Sequence, residues 1–319
     1  MTSRIWLIAG PTASGKSALA LRLARKVGAE IIGADALQIY RDLPVLTASP
    51  GPDDLAAVRH HLVGTVDAGQ AWSAGRWLEA AREVIDTLGR RGTDVVVAGG
   101  TGLYFEALVR GLATAPAVSA DARARAAAEF EALGELAFRE RLAEVDPAAA
   151  ARILPGDRQR LCRAWEVFAD TGRSLSDWQA ETQGGLPAGG WRGVRLMPPR
   201  EELYRRCDAR FAAMVRAGAL EEARRLAARG LDPALPACKA VGLRPLLAFL
   251  DGRMTLEEAI AAGQRATRNY VKRQEVWLRG RMASWPAITD IDPEDQWRSF
   301  LALNPDLTAR KGHGSSDDT

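Results

Sequence analysis

The sequence predicts an α/β fold in which a parallel sheet is flanked by helices and interrupted by a helical insertion. Three observations predict it. Short continuous apolar runs, "IWLIA", "EIIGAD" and "DVVVAGG", alternate with helix-like segments; such runs are strands buried on both faces, as a parallel sheet requires. A glycine-rich G-x-x-x-x-G-K-S loop, Gly10 to Ser17, lies between the first strand and the first helix. From about residue 120 the texture becomes Ala-, Arg- and Glu-rich, and strand character returns at Trp191. With 319 residues, 47% of them apolar, the chain can bury a substantial core.

The elements follow in order. Residues 5–9 are the first strand, and after the glycine loop "SALALRLARKV" is apolar at helical spacing. "EIIGAD" is a second buried strand ending on Asp35. "AGRWLEAAREVIDTLGRRG" is an amphipathic helix stopped by glycine. "DVVVAGGTGLY" is a third strand running into a glycine turn. In such sheets ligands bind outside the carboxyl ends of the strands, and those ends carry Gly10–Ser17, Asp35 and Gly99–Thr101. Residues 1–119 therefore read as the first part of a P-loop NTPase-like core.

Residues 120–185 read as the helical insertion, with Trp165 and Trp178 in its own core. "QGGLPAGG" is a flexible break. "WRGVRLM" then resumes a strand, and "PPREELYRRCDARFAAMV" opens a helix with proline in its first turn. Residues 186–290 continue the core and end in basic helices. Residues 291–319 read as a partly disordered tail, closing on the polar "ARKGHGSSDDT". No internal repeat stands out.

Composition excludes several classes. Three cysteines (Cys162, Cys207, Cys238) and three histidines (His60, His61, His313) are too scattered for a zinc cluster. A reduced, cytoplasmic protein is expected. The N-terminus enters a strand directly, without a leader pattern. No run approaches the roughly 18 apolar residues of a membrane helix, so no membrane partner is expected. The net charge of +3 is too small to argue for nucleic acid by itself.

The loop Gly10, Pro11, Thr12, Ala13, Ser14, Gly15, Lys16, Ser17 is a phosphate cradle. Glycines let backbone N–H groups turn toward phosphate oxygens, and the following helix presents its positive end. Lys16 adds a point charge, and the Ser17 hydroxyl can hold Mg2+. A nucleotide such as ATP would suit the loop alone. Yet the strand "DVVVAGG" ends in glycines, where an ATPase carries an acid to help hold the metal. That favours a transferase in which the phosphate is the leaving group. Asp35 itself reads two ways: a general base for an incoming nucleophile, or a cap or metal ligand.

Several segments together resemble one family, the tRNA dimethylallyltransferases: "GPTASGKSALA", "ADALQIYRDL", "HHLVG", "VVAGGTGLYFEALVRGL", "DRQRLCRAWEV" and "TRNYVKRQEVWLR", in the family's order across residues 5–281. There are departures. Ala36 stands where the family has serine, Ser49 where it has lysine, and Leu243 where it has tyrosine. The resemblance implies transfer of a dimethylallyl group from dimethylallyl diphosphate to N6 of adenosine 37 in the tRNA anticodon stem-loop. It implies Asp35 as the base for the weakly nucleophilic amine; an ordinary carboxylate, with a pKa of roughly 3.9, is ionised at neutral pH. It also implies that Lys16, Arg210 and metal on Ser17 stabilise the departing diphosphate, and that Thr101 bonds near the amine or the diphosphate. RNA contacts implied by the resemblance are Asp35, Ala36, Leu37, Gln38, Thr101 and Arg123, with Gln159, Arg160, Leu161, Cys162 and Arg163.

The segment "QRATRNYVKRQEVWLRGR" supplies a further basic helix. Arg265, Arg268, Lys272 and Arg279 fall on one stripe, with Arg273 beside it, while Tyr270, Val271, Trp277 and Leu278 fall on another side. One side can pack while Arg268, Lys272 and Arg273 meet RNA phosphates. The insertion is expected to close over the tRNA arm, and the enzyme to act as a monomer. Three alternatives stand beside this reading: an isopentenyltransferase on free adenine nucleotide, a small-molecule P-loop kinase, and a nucleotide-dependent RNA-binding module.

Overall fold

The computed structural model describes residues 3–113, 118–181 and 183–309. Six strands form one sheet: β1 (Ile5–Ala9), β2 (Glu30–Gly33), β3 (His60–His61), β4 (Val95–Gly99), β5 (Trp191–Leu196) and β6 (Ala287–Ile288). Their order is β3-β2-β4-β1-β5-β6 and every pairing is parallel. β1 is buried at all five positions. Strand alternation puts Trp6 and Ile8 on one face, where they join Leu19, Ala20, Leu23 and Ala24 of α1 (Lys16–Val27). Ile5, Leu7 and Ala9 are also buried, so both faces of the sheet are covered.

Two compact units emerge. One is Ala107–Leu186, which starts earlier than the expected insertion at residue 120. The reason is local: Gly111–Leu112 pairs antiparallel with Gln183–Gly184 and closes the base of the unit. Its longest helix, α2 (Ala120–Val145), breaks at Gly134, which takes φ 72°. A second, α3 (Arg158–Thr171), buries Leu161, Cys162 and Ala164 against Phe138 and Leu142. Trp165 packs edge-on to Phe138 with centroids 6.0 Å apart.

The other unit holds the sheet, helices α4 (Arg200–Met214) and α5 (Leu256–Arg281), and α6 (Pro293–Leu303). The last lies within the stretch expected as a partly disordered tail. Asp292 caps α6, and Trp297, Phe300 and Leu307 are buried in the same cluster as Trp6. Trp297, Phe300 and Leu301 recur at i, i+3, i+4, a helical signal outweighed by the polar residues that follow. The ending from residue 310 lies outside the described residues, as does His313. No helix among the described residues is long and apolar enough to cross a membrane.

Candidate active site

β2, β4 and β1 are neighbours, so the segments leaving their carboxyl ends meet. The loop after β1 needs its small residues. A Cβ on Gly10 would press on Ser14 and Leu196; Ala13 and Gly15 take φ 65° and 96°. Gly15 begins α1 without any side-chain cap, which leaves the first-turn N–H groups for an anion. Ser14 is fully buried and its Oγ has no partner among the described residues. Such an orphaned donor at a helix N-terminus suits a phosphate oxygen. Thr12 contributes less, because its N–H already donates to Gln274 Oε1 at 2.9 Å.

Lys16 Nζ donates to the Pro11 carbonyl at 3.3 Å. Burial, opposed by Asp35 and helped by the Arg210 charge, holds its pKa down at about 8. Arg210, on α4, donates to the Thr12 hydroxyl. Burial also lowers its pKa, against the pull of Cys207 and Asp35. Two crowded cations beside one carboxylate form a site short of negative charge.

Asp35 caps the turn that follows it, one of the roles left open by the sequence. Its Oδ1 accepts the N–H groups of Leu37 at 3.0 Å and Gln38 at 3.4 Å, while Oδ2 takes no hydrogen bond from the described residues. Asp35 also lines a pocket. Gly99 leaves room for Ala34, whose carbonyl accepts the Thr101 N–H at 3.1 Å. Thr101 Oγ1 accepts the Ala36 N–H at 2.9 Å. Ala36 therefore makes its link through backbone, whatever its side chain.

The pocket's lining is of two kinds. Asp35 and Arg210 are charged and Thr12, Thr47 and Thr267 carry hydroxyls, while Leu37, Leu46, Phe211, Met214 and Val241 are apolar. Its wall is braced by Glu222, a buried carboxylate that accepts from Val45 and Leu46 N–H at 2.8 and 2.9 Å. Burial, then the Asp35 charge, raises the pKa of the Tyr270 hydroxyl; a hydrogen bond with Thr101 opposes them. Tyr104 is raised by the same two causes and stacks on Trp77 at 4.3 Å.

Two buried glutamines hold the cradle. Gln274, on α5, accepts from Thr12 and donates to the Gly100 carbonyl at 2.9 Å. Gln296, on α6, donates to the Ser14 carbonyl at 2.8 Å and the Asp290 carbonyl at 2.9 Å. Neither glutamine, nor Glu222 or Tyr270, stood out as a site residue in the sequence. Gln274 carries a signal, its place inside "KRQEVW"; Gln296 carries none.

The expected RNA contacts divide. Leu161 and Cys162 are buried in the core of their unit, where their apolar side chains fill the face of α3 that packs. Gln38 donates its amide to the carbonyls of Thr47 and Ala48, and Leu37 lines the pocket. Gln159, Arg160 and Arg123 are exposed; Arg163 is half-buried. Arg160 and Arg163 pair with Asp157 and Glu166. On α5, Lys272 and Arg273 are exposed, whereas Arg268 is half-buried against Asp208 at 2.6 Å. Glu275, the acid in that basic stretch, is fully buried and holds Arg200 at 2.5 Å and Arg279 at 3.3 Å.

The model of the IPP transferase family matches residues 38–281. A protein named tRNA dimethylallyltransferase from Phenylobacterium zucineum is 64% identical over 309 residues, covering 97% of this chain and all of that one. The chain belongs to the IPP transferase family. The structure of the full-length tRNA isopentenylpyrophosphate transferase from Bacillus halodurans, 29% identical, aligns with a TM-score of 0.68 over 96% of this chain and 97% of that one. A eukaryotic dimethylallyltransferase acting on tRNA, 24% identical, shares the fold at a TM-score of 0.80, over 98% of this chain and 82% of that one. The family's P-loop NTPase-like core is thus the scaffold that gathers the loop, Asp35 and Thr101.

Proposed function

We propose that this chain transfers a dimethylallyl group from dimethylallyl diphosphate to N6 of adenosine 37 in the anticodon stem-loop of tRNA. The observation that carries the donor is the mixed lining of one pocket: charged Asp35 and Arg210 with apolar Leu37, Leu46, Phe211 and Met214. An allylic diphosphate has that pairing of charged and apolar parts, and the sugar of ATP does not. Membership of the IPP transferase family and the names of its relatives agree with this reading.

The chain's own groups divide the work. The first-turn N–H groups of α1, Lys16 and Arg210 meet the charge that grows on the departing diphosphate. As the bond from N6 to C1 forms and the C1–O bond breaks, the electron pair leaves with diphosphate. Asp35 Oδ2 takes the amine proton. Thr101 holds the Ala36 backbone, and with it the turn that carries Asp35. Among the described residues no three His, Cys, Asp or Glu side chains gather to hold a metal alone. Mg2+ fits as an ion brought by the diphosphate, with the exposed Ser17 hydroxyl as its protein ligand. Bound there, it would neutralise charge on the leaving group.

Exposed Arg123, Gln159 and Arg160 on one unit, and Lys272 and Arg273 on the other, are the residues offered to RNA. The enzyme works as a monomer in the cytoplasm, where its tRNA resides. Thermal protection tests the donor. Dimethylallyl diphosphate with Mg2+ raises the melting temperature more than ATP with Mg2+; greater protection by ATP would support a kinase instead.

A further inference from the structure

The donor pocket is lined by a ring that two glycines back. Phe211 is 3% exposed and follows Arg210 on α4. Its ring lies against Gly242, which takes φ +84°, and against Gly263 on α5. A Cβ on either glycine would fall well inside contact distance of the ring atoms. The ring therefore fills space that these two glycines leave open, and it is backed by them against the pocket.

One face of α4 lines the pocket through Cys207, Arg210, Phe211 and Met214. Arg210 is bonded to the Thr12 hydroxyl. Met214 lies four residues further, about 6 Å along the axis at ~1.5 Å per residue. That length suits one isoprene unit. A second unit would need the space that the Phe211 ring, between Arg210 and Met214 on this face, already fills. The nearby Thr267 offers nothing polar to redirect a chain, since its hydroxyl donates to the Gly263 carbonyl at 2.9 Å.

We infer that Phe211, backed by Gly242 and Gly263, limits the donor to a single isoprene unit and excludes longer allylic diphosphates such as geranyl diphosphate. The inference rests on the pocket being the donor site. The chemistry is the same for either donor: C1–O breaks with its electron pair on diphosphate, C1–N6 forms, and the amine proton passes to Asp35. Only the fit of the chain differs. Phe211 touches the chain and no reacting atom, so it acts on specificity.

The test compares the full-length wild type with Phe211→Ala and Phe211→Leu, using unmodified tRNA and either dimethylallyl or geranyl diphosphate, and identifies the adduct by nucleoside mass. Wild type transfers the five-carbon group only. Phe211→Ala transfers the ten-carbon group, and its geranyl-to-dimethylallyl ratio of kcat/KM rises roughly 100-fold, since each methylene accommodated is worth roughly 10–200-fold. Phe211→Leu shows a smaller rise, about 10-fold, and carries the test alone if the alanine variant does not fold. A folded variant that still transfers the five-carbon group while rejecting geranyl diphosphate as strongly as wild type would overturn the role of Phe211. A wild type that transfers nothing from dimethylallyl diphosphate would instead overturn the donor reading, and this inference with it.

Discussion

Gln274 joins the phosphate cradle to the turn that carries Thr101: Thr12 donates to its carbonyl oxygen at 2.9 Å, and its amide donates to Gly100 at 2.9 Å. Gln274 is 5% exposed, and a Cβ on Gly100 would collide with it. The phosphate loop and the turn that carries Thr101 are thus tied together by this side chain. Gln274→Leu leaves both backbone groups unpaired, at a cost of about 1–3 kcal/mol. Denaturant unfolding should show that loss, and kcat/KM should fall by more than the unfolded fraction explains. Unchanged kinetics in a folded protein would reduce Gln274 to a packing residue.

Asp35→Asn keeps an oxygen for the Leu37 and Gln38 N–H groups. The turn should therefore survive while the base is lost. Single-turnover transfer should drop by roughly 10²–10⁴-fold, with donor and tRNA affinities near wild type. Retained turnover would remove Asp35 from proton transfer.

Lys16 gives a pH signature. Its pKa in the free protein, about 8, lies below the ordinary lysine value of 10.5 because burial disfavours its charge. A bound diphosphate favours the charged form and raises that pKa. Below about 8 the group is protonated in both states and affinity is level; above it, binding must take up a proton, so affinity falls as pH rises. Calorimetry of donor binding in two buffers should show proton uptake near pH 9 and little near pH 7. Lys16→Arg should flatten the profile.

On the RNA side, ion pairing sets the ranking. Arg268 is bonded to Asp208 through both carboxylate oxygens, at 2.6 and 2.7 Å. Lys272 and Arg273 are exposed, with Arg273 over the Tyr270 ring at 5.5 Å. Lys272→Ala or Arg273→Ala should each shallow the log–log salt dependence of tRNA binding by about 0.7–0.9, the value of one phosphate contact. Arg268→Ala should change it less. Filter binding across salt concentrations separates the three, and a larger effect at Arg268 would mean that RNA displaces Asp208.

Much of this site was legible because strands and phosphate loops write local patterns. Gly10–Ser17, Asp35 and Thr101 follow buried strands, and a parallel sheet brings such ends together. What was not legible is long-range. Gln296 reaches Ser14 across 282 positions, and Arg268 meets Asp208 across 60, distances that no periodicity encodes. Leu161 and Cys162 show the converse: a motif marked their segment, but helical phase puts those two side chains in the core. α6 was hidden by its neighbours, since its apolar triplet precedes a strongly polar ending.

The most direct test is the mass of nucleoside 37 in tRNA incubated with the protein, Mg2+ and dimethylallyl diphosphate. The account predicts N6-(dimethylallyl)adenosine at that position and release of one diphosphate per transfer. Unmodified adenosine 37, from protein that binds both substrates, would contradict it.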